Sequence, residues 1–311
     1  MTATSPTPCA FGALRYYPPT SSLVLFNPSS FPAYATNTVN TWQFKSGNWS
    51  LTNFGVGSNV SARSETSMAY DGTNLVLFGG KGPPGTEYMN DTNSYNGTTW
   101  TNVIPNYNSN GLVIGSTAGL TIRAKHYMAA MTGGITLFGG IDYNHTLQDT
   151  FTWTSGSGAW TQQFPANSPS IRIGAANASN GTNNFVLFGG ANGSYALQDS
   201  WSWNGTNWSV ISTNTPPSCR KNATMAWYPT GSCFIVFGGS DSGGNLLNDT
   251  WQFDGTSTWT QLFPTVSPSV REGAMMAYDT ASSQLVLFGG RNNKFLLNDT
   301  FQWNGSTWVQ L

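Results

Sequence analysis

Five arginines and five aspartates recur at fixed places in this chain, and together they could do one of two kinds of chemistry. Arg63, Arg123, Arg172, Arg220 and Arg271 each open a short apolar segment, while Asp91, Asp149, Asp199, Asp249 and Asp299 each open a later aromatic one. Five guanidiniums on one rim would bind an anion; five guanidiniums each paired with a carboxylate would instead brace the chain through bidentate, charge-assisted hydrogen bonds. Other reactive side chains are sparse. His126 and His145 are the two histidines, with Asp142 the close acid in sequence, a poor match to the ligand set of a copper or non-haem iron site. Cys9, Cys219 and Cys233 form no metal-binding pattern with histidine, and their odd number leaves at least one thiol free. Glycoside hydrolysis needs two carboxylates at a set separation. Glu65, Glu87, Asp142, Asp241 and Glu272 fall at the same end as the arginines, but no spacing selects a pair. No nucleophile elbow, phosphate loop or zinc motif occurs. The sequence assigns no metal, no cofactor and no reaction.

The elements that must position these residues follow from a repeat. Trp recurs at 49, 100, 160, 208, 259 and 308, and the Phe closing an apolar run recurs at 26, 78, 138, 188, 237 and 288, so six units of about fifty residues fill the 311-residue chain. Each unit reads as four strands. The first is small and apolar, the second is a run such as "LVLF" ending in Gly-Gly, the third carries aromatics two apart, and the fourth carries the terminal Trp. Aromatics at alternate positions, as in Trp201/Trp203 and Phe301/Trp303, share one face of a pleated strand. Asn96-Gly97, Asn204-Gly205, Asp254-Gly255 and Asn304-Gly305 predict type I′ hairpin turns between the third and fourth strands. One such sheet cannot bury both faces, whereas six stacked radially can. The fold class is therefore all-β, a six-bladed propeller of four-stranded antiparallel blades. It forms one domain over 1–311, with blades at about 9–52, 61–103, 121–163, 170–211, 218–262 and 269–311.

Gly79-Gly80, Gly139-Gly140, Gly189-Gly190, Gly238-Gly239 and Gly289-Gly290, each followed by Asp-Thr or Asp-Ser and then the terminal Trp, resemble the kelch repeat. The resemblance implies the propeller architecture. It is nearly silent about function, because kelch propellers serve as protein-binding modules, sugar-oxidising enzymes and extracellular domains alike. The repeat phase predicts that no blade is assembled from both termini and that side-chain packing closes the ring.

The first unit discriminates between the two uses of arginine. It aligns Ala10 with the arginines, Asn27-Pro28 with the glycine pairs and Asn40 with the aspartates, so all three elements disappear together. Joint loss is the expectation for an Arg-Asp strut within one blade, with the glycines leaving room for the arginine to reach over. An anion-binding ring is the alternative.

Composition bounds the partners. Charged residues make up 8% and the formal net charge is −1, so nothing marks a nucleic-acid or anionic-membrane surface. No apolar run reaches membrane-span length, and the opening MTATSPTP lacks the pattern of a secretory signal. Fourteen Asn-x-Ser/Thr sequons lean towards an exterior location, although turn chemistry generates several of them, and the compartment is unassigned.

Function on a propeller belongs to its variable loops. Those after the glycine pairs carry Phe31, Tyr34, Tyr88, Tyr143, His145, Tyr195, Arg291 and Lys294, and of these Tyr34, Tyr88, Tyr143, His145, Tyr195 and Arg291 are the candidate binding residues. The connection 101–122 is about ten residues longer than its equivalents, with Leu112, Val113 and Ile114 expected to pack down. The reading is a noncatalytic scaffold whose loop face holds a protein or glycan. The alternatives are a carbohydrate-active enzyme with acids at the channel mouth, or a structural subunit of an extracellular or virion surface assembly.

Overall fold

The computed structural model describes residues 5–27, 40–52, 60–82, 88–105, 120–156, 158–193 and 195–311. Within them the chain forms six four-stranded antiparallel sheets, each with its strands in chain order. Blade one comprises Ala13–Tyr17, Ser22–Asn27, Asn40–Lys45 and Asn48–Thr52. The first strands of the other blades are Ser67–Tyr70, Tyr127–Met131, Ala176–Ser179, Thr224–Tyr228 and Met275–Asp279. These six inner strands line a central channel. A further two-stranded hairpin, Ala191–Asn192 with Tyr195–Ala196, projects from blade four. No sheet mixes strands from the two ends of the chain. Among the described residues no helix is long and apolar enough to cross a membrane.

The core is divided into six wedges, one between each pair of neighbouring blades. The wedge that closes the circle joins Leu14, Leu23, Leu25, Trp42 and Phe44 of blade one to Met275, Ala277, Val286 and Phe288 of blade six. Each wedge centres on one fourth-strand tryptophan. Trp100, Trp160, Trp208, Trp259, Trp308 and Trp49 lie 4.7–5.7 Å, centroid to centroid, from the Phe closing the second strand of the preceding blade. The same rings lie 4.6–5.5 Å from the second third-strand aromatic of their own blade. The two contacts hold the ring across the joint, tilted or edge-on in every pair but the stacked Phe253–Trp259. Five of the indoles also donate Nε1–H to a threonine of the preceding blade: Trp100 to Thr41, Trp160 to Thr92, Trp208 to Thr150, Trp308 to Thr250 and Trp49 to Thr300, at 2.9–3.0 Å. At the sixth joint the preceding blade supplies Ser200, and both its hydroxyl and Trp259 Nε1 are buried without a partner.

Ring closure also uses the backbone. Cys9 N–H donates to Leu297 O at 3.0 Å and Gly290 N–H to Cys9 O at 2.9 Å. The second bond recurs from Gly80 to Arg123 O, Gly190 to Arg220 O and Gly239 to Arg271 O. These bonds explain the glycine pairs. A Cβ on Gly79, Gly189, Gly238 or Gly289 would stand 2.6–2.7 Å from the carbonyl oxygen of the next blade, and both glycines of each pair hold a positive φ. The primary need for glycine is thus the approach of the next blade's backbone.

The expected type I′ turns are corrected. Asn96, Asn204 and Asn304 open four-residue turns in which their Oδ1 accepts the N–H groups two and three residues on, and only the following glycine is left-handed. Asp254 does the same in a five-residue turn, accepting from Thr256, Ser257 and Thr258. The side-chain acceptor, an Asx turn, replaces the doubly left-handed type I′ geometry. A two-residue turn does occur in blade one, between paired Lys45 and Asn48, where Ser46 and Gly47 both have positive φ (50° and 80°).

The incomplete joint gives a direct test. Ser200→Thr adds the β-methyl that restricts the hydroxyl to the threonine rotamers used at the other joints, so that it accepts from Trp259, and raises unfolding free energy by about 1 kcal/mol, whereas Thr150→Val strands the Trp208 indole and lowers it by about 1–3 kcal/mol. Urea denaturation midpoints measure both; a destabilised Ser200→Thr would show that the indole bond is not the strengthening element.

Candidate functional site

All five arginines sit four residues before the first strands, in the segments that lead into them and not at the strand starts, and each reaches the recurring aspartate of its own blade's third-strand segment. Arg123, Arg172, Arg220 and Arg271 make bidentate contacts of 2.6–2.9 Å with Asp149, Asp199, Asp249 and Asp299. Arg63 holds Asp91 in the same way through Nη1 and Nη2. The remaining donors are also used. Nε binds the carbonyl of the Ser or Thr two residues earlier, Nη2 its hydroxyl, and Nη1 the carbonyl of the first glycine, as in Arg172 with Ser170 and Gly189. A guanidinium has five N–H groups, and here every one has an acceptor.

The residue after next on the third strand completes the cage. Trp201 and Trp251 donate Nε1–H to Asp199 and Asp249 at 2.6 and 2.7 Å, and Asn93 donates to Asp91 at 2.8 Å. Phe151 and Phe301 instead lie under the Arg123 and Arg271 guanidiniums at 5.4 and 5.5 Å. Burial pushes the Asp249 carboxyl up, but the Arg220 and Trp251 hydrogen bonds outweigh it and hold the group below the ordinary carboxylate range.

Blade one departs from this plan, and the structure shifts its alignment by one residue. Cys9, not Ala10, occupies the arginine position, because its N–H and carbonyl make the inter-blade bonds that arginine backbones make elsewhere. Asn27 takes the place of the first glycine without breaking register, pairing directly with Asn40. Its amide donates to Thr7 O at 3.1 Å and Thr7 Oγ1 at 3.2 Å, the two kinds of acceptor that Nε and Nη2 use in the other blades. A short amide on the second strand thus fills the space of the missing guanidinium. Phe31 and Tyr34, the expected replacement packing, lie outside the described residues, as do Leu112, Val113, Ile114 and Glu87.

Two residues beyond each arginine position the chain passes through a left-handed residue: Phe11, Glu65, Lys125, Gly174, Asn222 and Gly273, with φ between 56° and 68°. These residues form a collar at the channel mouth. Glu65 N–H donates to Phe11 O (3.0 Å), Lys125 to Glu65 (2.8 Å), Asn222 to Gly174 (2.6 Å), Gly273 to Asn222 (2.9 Å) and Phe11 to Gly273 (2.9 Å). Between blades three and four the Tyr127 hydroxyl intervenes, accepting from Ala175 N–H at 2.9 Å and donating to Arg172 O at 3.3 Å.

Of the candidate binding residues Tyr34 lies outside the described residues; the other five stand around this collar, and only some of them meet. Tyr88 and Tyr143 meet edge to face at 4.9 Å, Tyr88 N–H donates to the Tyr143 hydroxyl at 3.1 Å, and Lys81 Nζ stands 5.9 Å from the Tyr88 ring. Tyr143 is 53% and Tyr195 77% exposed, so half or more of each ring faces solvent. His145 is exposed beside Asp142, 3.5 Å from Nδ1 to Oδ1. Arg291 is less available: its Nε donates to Glu272 at 2.8 Å and its guanidinium covers the Phe11 ring at 5.4 Å. The loop of blade six adds Phe295, 68% exposed. It lies in the same kind of loop as Tyr195, next to Lys294, and the aromatic ring itself is the signal for it in the sequence.

The acids at the mouth accept bonds that keep them ionised. Burial pushes Glu272 up, but bonds from Asn222, Ser240 and Arg291 hold it below its ordinary range. In Asp142 the turn N–H groups of Asn144 and His145 likewise outweigh burial. Asn245 and its backbone pull Asp241 down. A glycosidase general acid needs the opposite shift. Glu65 pairs with Lys125 at 3.4 Å. The two histidines lie in different settings, since His126 is buried against the Phe78 ring at 5.3 Å with neither nitrogen hydrogen-bonded. Burial and the nearby Arg123 charge push it down to about 3. All three cysteines are free.

A family model described as the KLHDC2/KLHL20/DRC7 Kelch-repeats domain matches residues 20–211 and 202–311. A solved structure titled "Structure of YjhT" superposes with a TM-score of 0.73 at 12% identity, covering 99% of each chain. At that identity the likeness carries the fold. In all, 357 solved chains match, so this architecture does not single out one activity. No curated protein matches the chain.

Two stability tests follow from these environments. Asp249→Asn removes the charge opposite a guanidinium that is 1% exposed and lowers stability by about 3 kcal/mol; adding Arg220→Met recovers part of that loss. A double variant no more stable than Asp249→Asn alone would contradict the pairing account. His126 is neutral when folded and titrates at its ordinary value when unfolded, so the unfolded chain binds the extra proton between about pH 6.5 and 3. Stability falls as pH drops through that window, by about 2 kcal/mol between pH 6.5 and 5. His126→Leu, followed by thermal unfolding at pH 7 and pH 5, removes that part of the acid sensitivity.

Proposed function

Since this chain belongs to the kelch-repeat domain family, its match spanning residues 20–211 and 202–311, we propose that it is a noncatalytic scaffold that binds a protein partner through the collar face. One observation carries the reading. On that face, aromatic rings stand exposed among charges: the Tyr88–Tyr143 pair with Lys81 beside it, the neighbouring Lys125–Glu65 and His145–Asp142 pairs, and Tyr195 and Phe295 farther round. Exposed tyrosine and phenylalanine flanked by charge is the composition of an interface anchor. The terminal-strand aromatics, by contrast, are consumed in the joints between blades.

The five Arg-Asp pairs are read as struts. With all donors engaged, a guanidinium would have to break existing bonds to take an anion, and the rim therefore supports the binding face without touching the partner. The connection 101–122 and Tyr34 belong to the proposed surface on sequence grounds.

The test compares the wild-type protein with Tyr143→Ala/Tyr195→Ala as bait. Partners captured by the wild type weaken at least about tenfold with the double variant, while its melting temperature stays within about 2 °C, as expected for exposed side chains. A parallel glycan array on the same two proteins separates the classes. Saturable glycan binding lost in the variant would replace the protein reading, and undiminished capture of every partner would remove the collar tyrosines from it.

A further inference from the structure

Arg15 lies on the first strand of blade one, six residues beyond Cys9. Strand registers pair Arg15 with Val24, Ala69 with Val76, Ala129 with Thr136, Ala178 with Val186, Ala226 with Ile235 and Ala277 with Val286. These are one level of the ring, so five blades present alanine where blade one presents arginine. The alanines open space around the axis, and a single cation projects into it.

The channel comprises two chambers. One, of about 160 Å³, lies under the collar, and the other, of about 320 Å³, extends towards the turns between first and second strands. Arg15, Asn177, Met225 and Met276 line both and so mark the waist. The far chamber is walled by the five alanines with Met128, Tyr70 and Trp227, and none of its described lining residues is acidic. Under the collar the lining acid is Glu65, already paired with Lys125.

Arg15 differs from every rim arginine in what its donors do. Nη1 donates to Leu14 O at 2.8 Å, and among the described residues the guanidinium makes no other hydrogen bond or ion pair. Asn177 at the same waist has a buried Oδ1 without a partner. Arg15 is half-buried, and its depth in the protein pushes the guanidinium down to about 10. It remains charged at neutral pH.

We propose that the far chamber binds a small apolar carboxylate, with its carboxylate on the Arg15 guanidinium at the waist and its hydrocarbon body among the alanines, Met128 and Trp227. The chemistry is complementary on both counts. An unpaired cation in a confined, acid-free space favours an anion, and a planar carboxylate matches the fork of guanidinium donors. A chamber of this volume is at the lower end of small-molecule sites, and its walls are mainly apolar. The site is independent of the collar tyrosines.

The probe is 3-phenylpropionate, titrated calorimetrically into the full chain, with the neutral 3-phenylpropanamide as its partner probe. The acid binds saturably. The amide binds at least about tenfold more weakly, Arg15→Gln weakens the acid by a similar factor, and Arg15→Lys restores part of the loss, as a charge-assisted contact requires. Tyr143→Ala leaves the acid's affinity unchanged. Arg15→Gln melts at or above the wild-type temperature, since it removes a cation with no protein counter-charge, so lost binding cannot be attributed to unfolding. Absence of saturable binding by the wild type, equal affinity for acid and amide, or unaltered binding by Arg15→Gln would each overturn the proposal.

Discussion

A ring of six sheets has to close, and the tryptophan on each outer strand is what sets the angle between neighbours. Each indole is held from two sides, by an aromatic of its own blade and by the phenylalanine of the preceding one, and in five joints its N–H fixes the remaining rotation. Stacking alone would leave the ring free to slide along an apolar wall. The hydrogen bond to a threonine whose position is set by the neighbouring strand makes the joint directional. Six copies of one angle then add up to a circle, and the Trp49–Thr300 bond closes it with the same chemistry as the interior joints. The collar imposes the second constraint, since its five backbone bonds, completed by the Tyr127 hydroxyl between blades three and four, go with a left-handed residue in each blade.

This economy explains why so much of the fold was legible. Aromatics at two-residue spacing, glycine pairs and terminal tryptophans each have one use in a stacked blade, so their recurrence encodes blade number, strand order and the repeat phase. The Arg-Asp partnership was visible for a related reason, because blade one loses its arginine, glycines and aspartate together. What the sequence could not supply was geometry between blades. The glycines were read as clearance for an arginine within the blade, whereas a carbonyl from the next blade occupies the space beside them. The Asn-Gly turns were assigned from dipeptide preference, but the asparagine acts through its side chain. Only the length of the loop distinguishes these cases.

The misplacement of Ala10 shows how a one-residue error hides a site. Once Cys9 takes the arginine position, the residue six places on in each unit can be read as Arg15, Ala69, Ala129, Ala178, Ala226 and Ala277. A lone arginine against five alanines is then conspicuous. Aligned one residue out, the level scrambles and the contrast vanishes. Blade one has also changed how it fills the strut site, with Asn27 donating to Thr7 from the second strand. That substitution needs no charge at the rim.

Arginine therefore has two uses in this protein, distinguished by donor accounting and not by residue type. At the rim each guanidinium meets two carboxylate oxygens, two carbonyls and a hydroxyl, and a bidentate pair flanked by neutral acceptors leaves nothing to offer a ligand. Its buried charge is compensated, so the arrangement acts as a brace between first and third strands. In the channel the same group has one carbonyl. Among the described residues that one carbonyl is all that offsets the cost of holding the charge away from bulk solvent, which is the condition under which an anionic ligand gains most from binding. The collar shares neither property. Its exposed tyrosines stand on loops next to the struts, and exposed aromatic surface is what a macromolecular partner can bury.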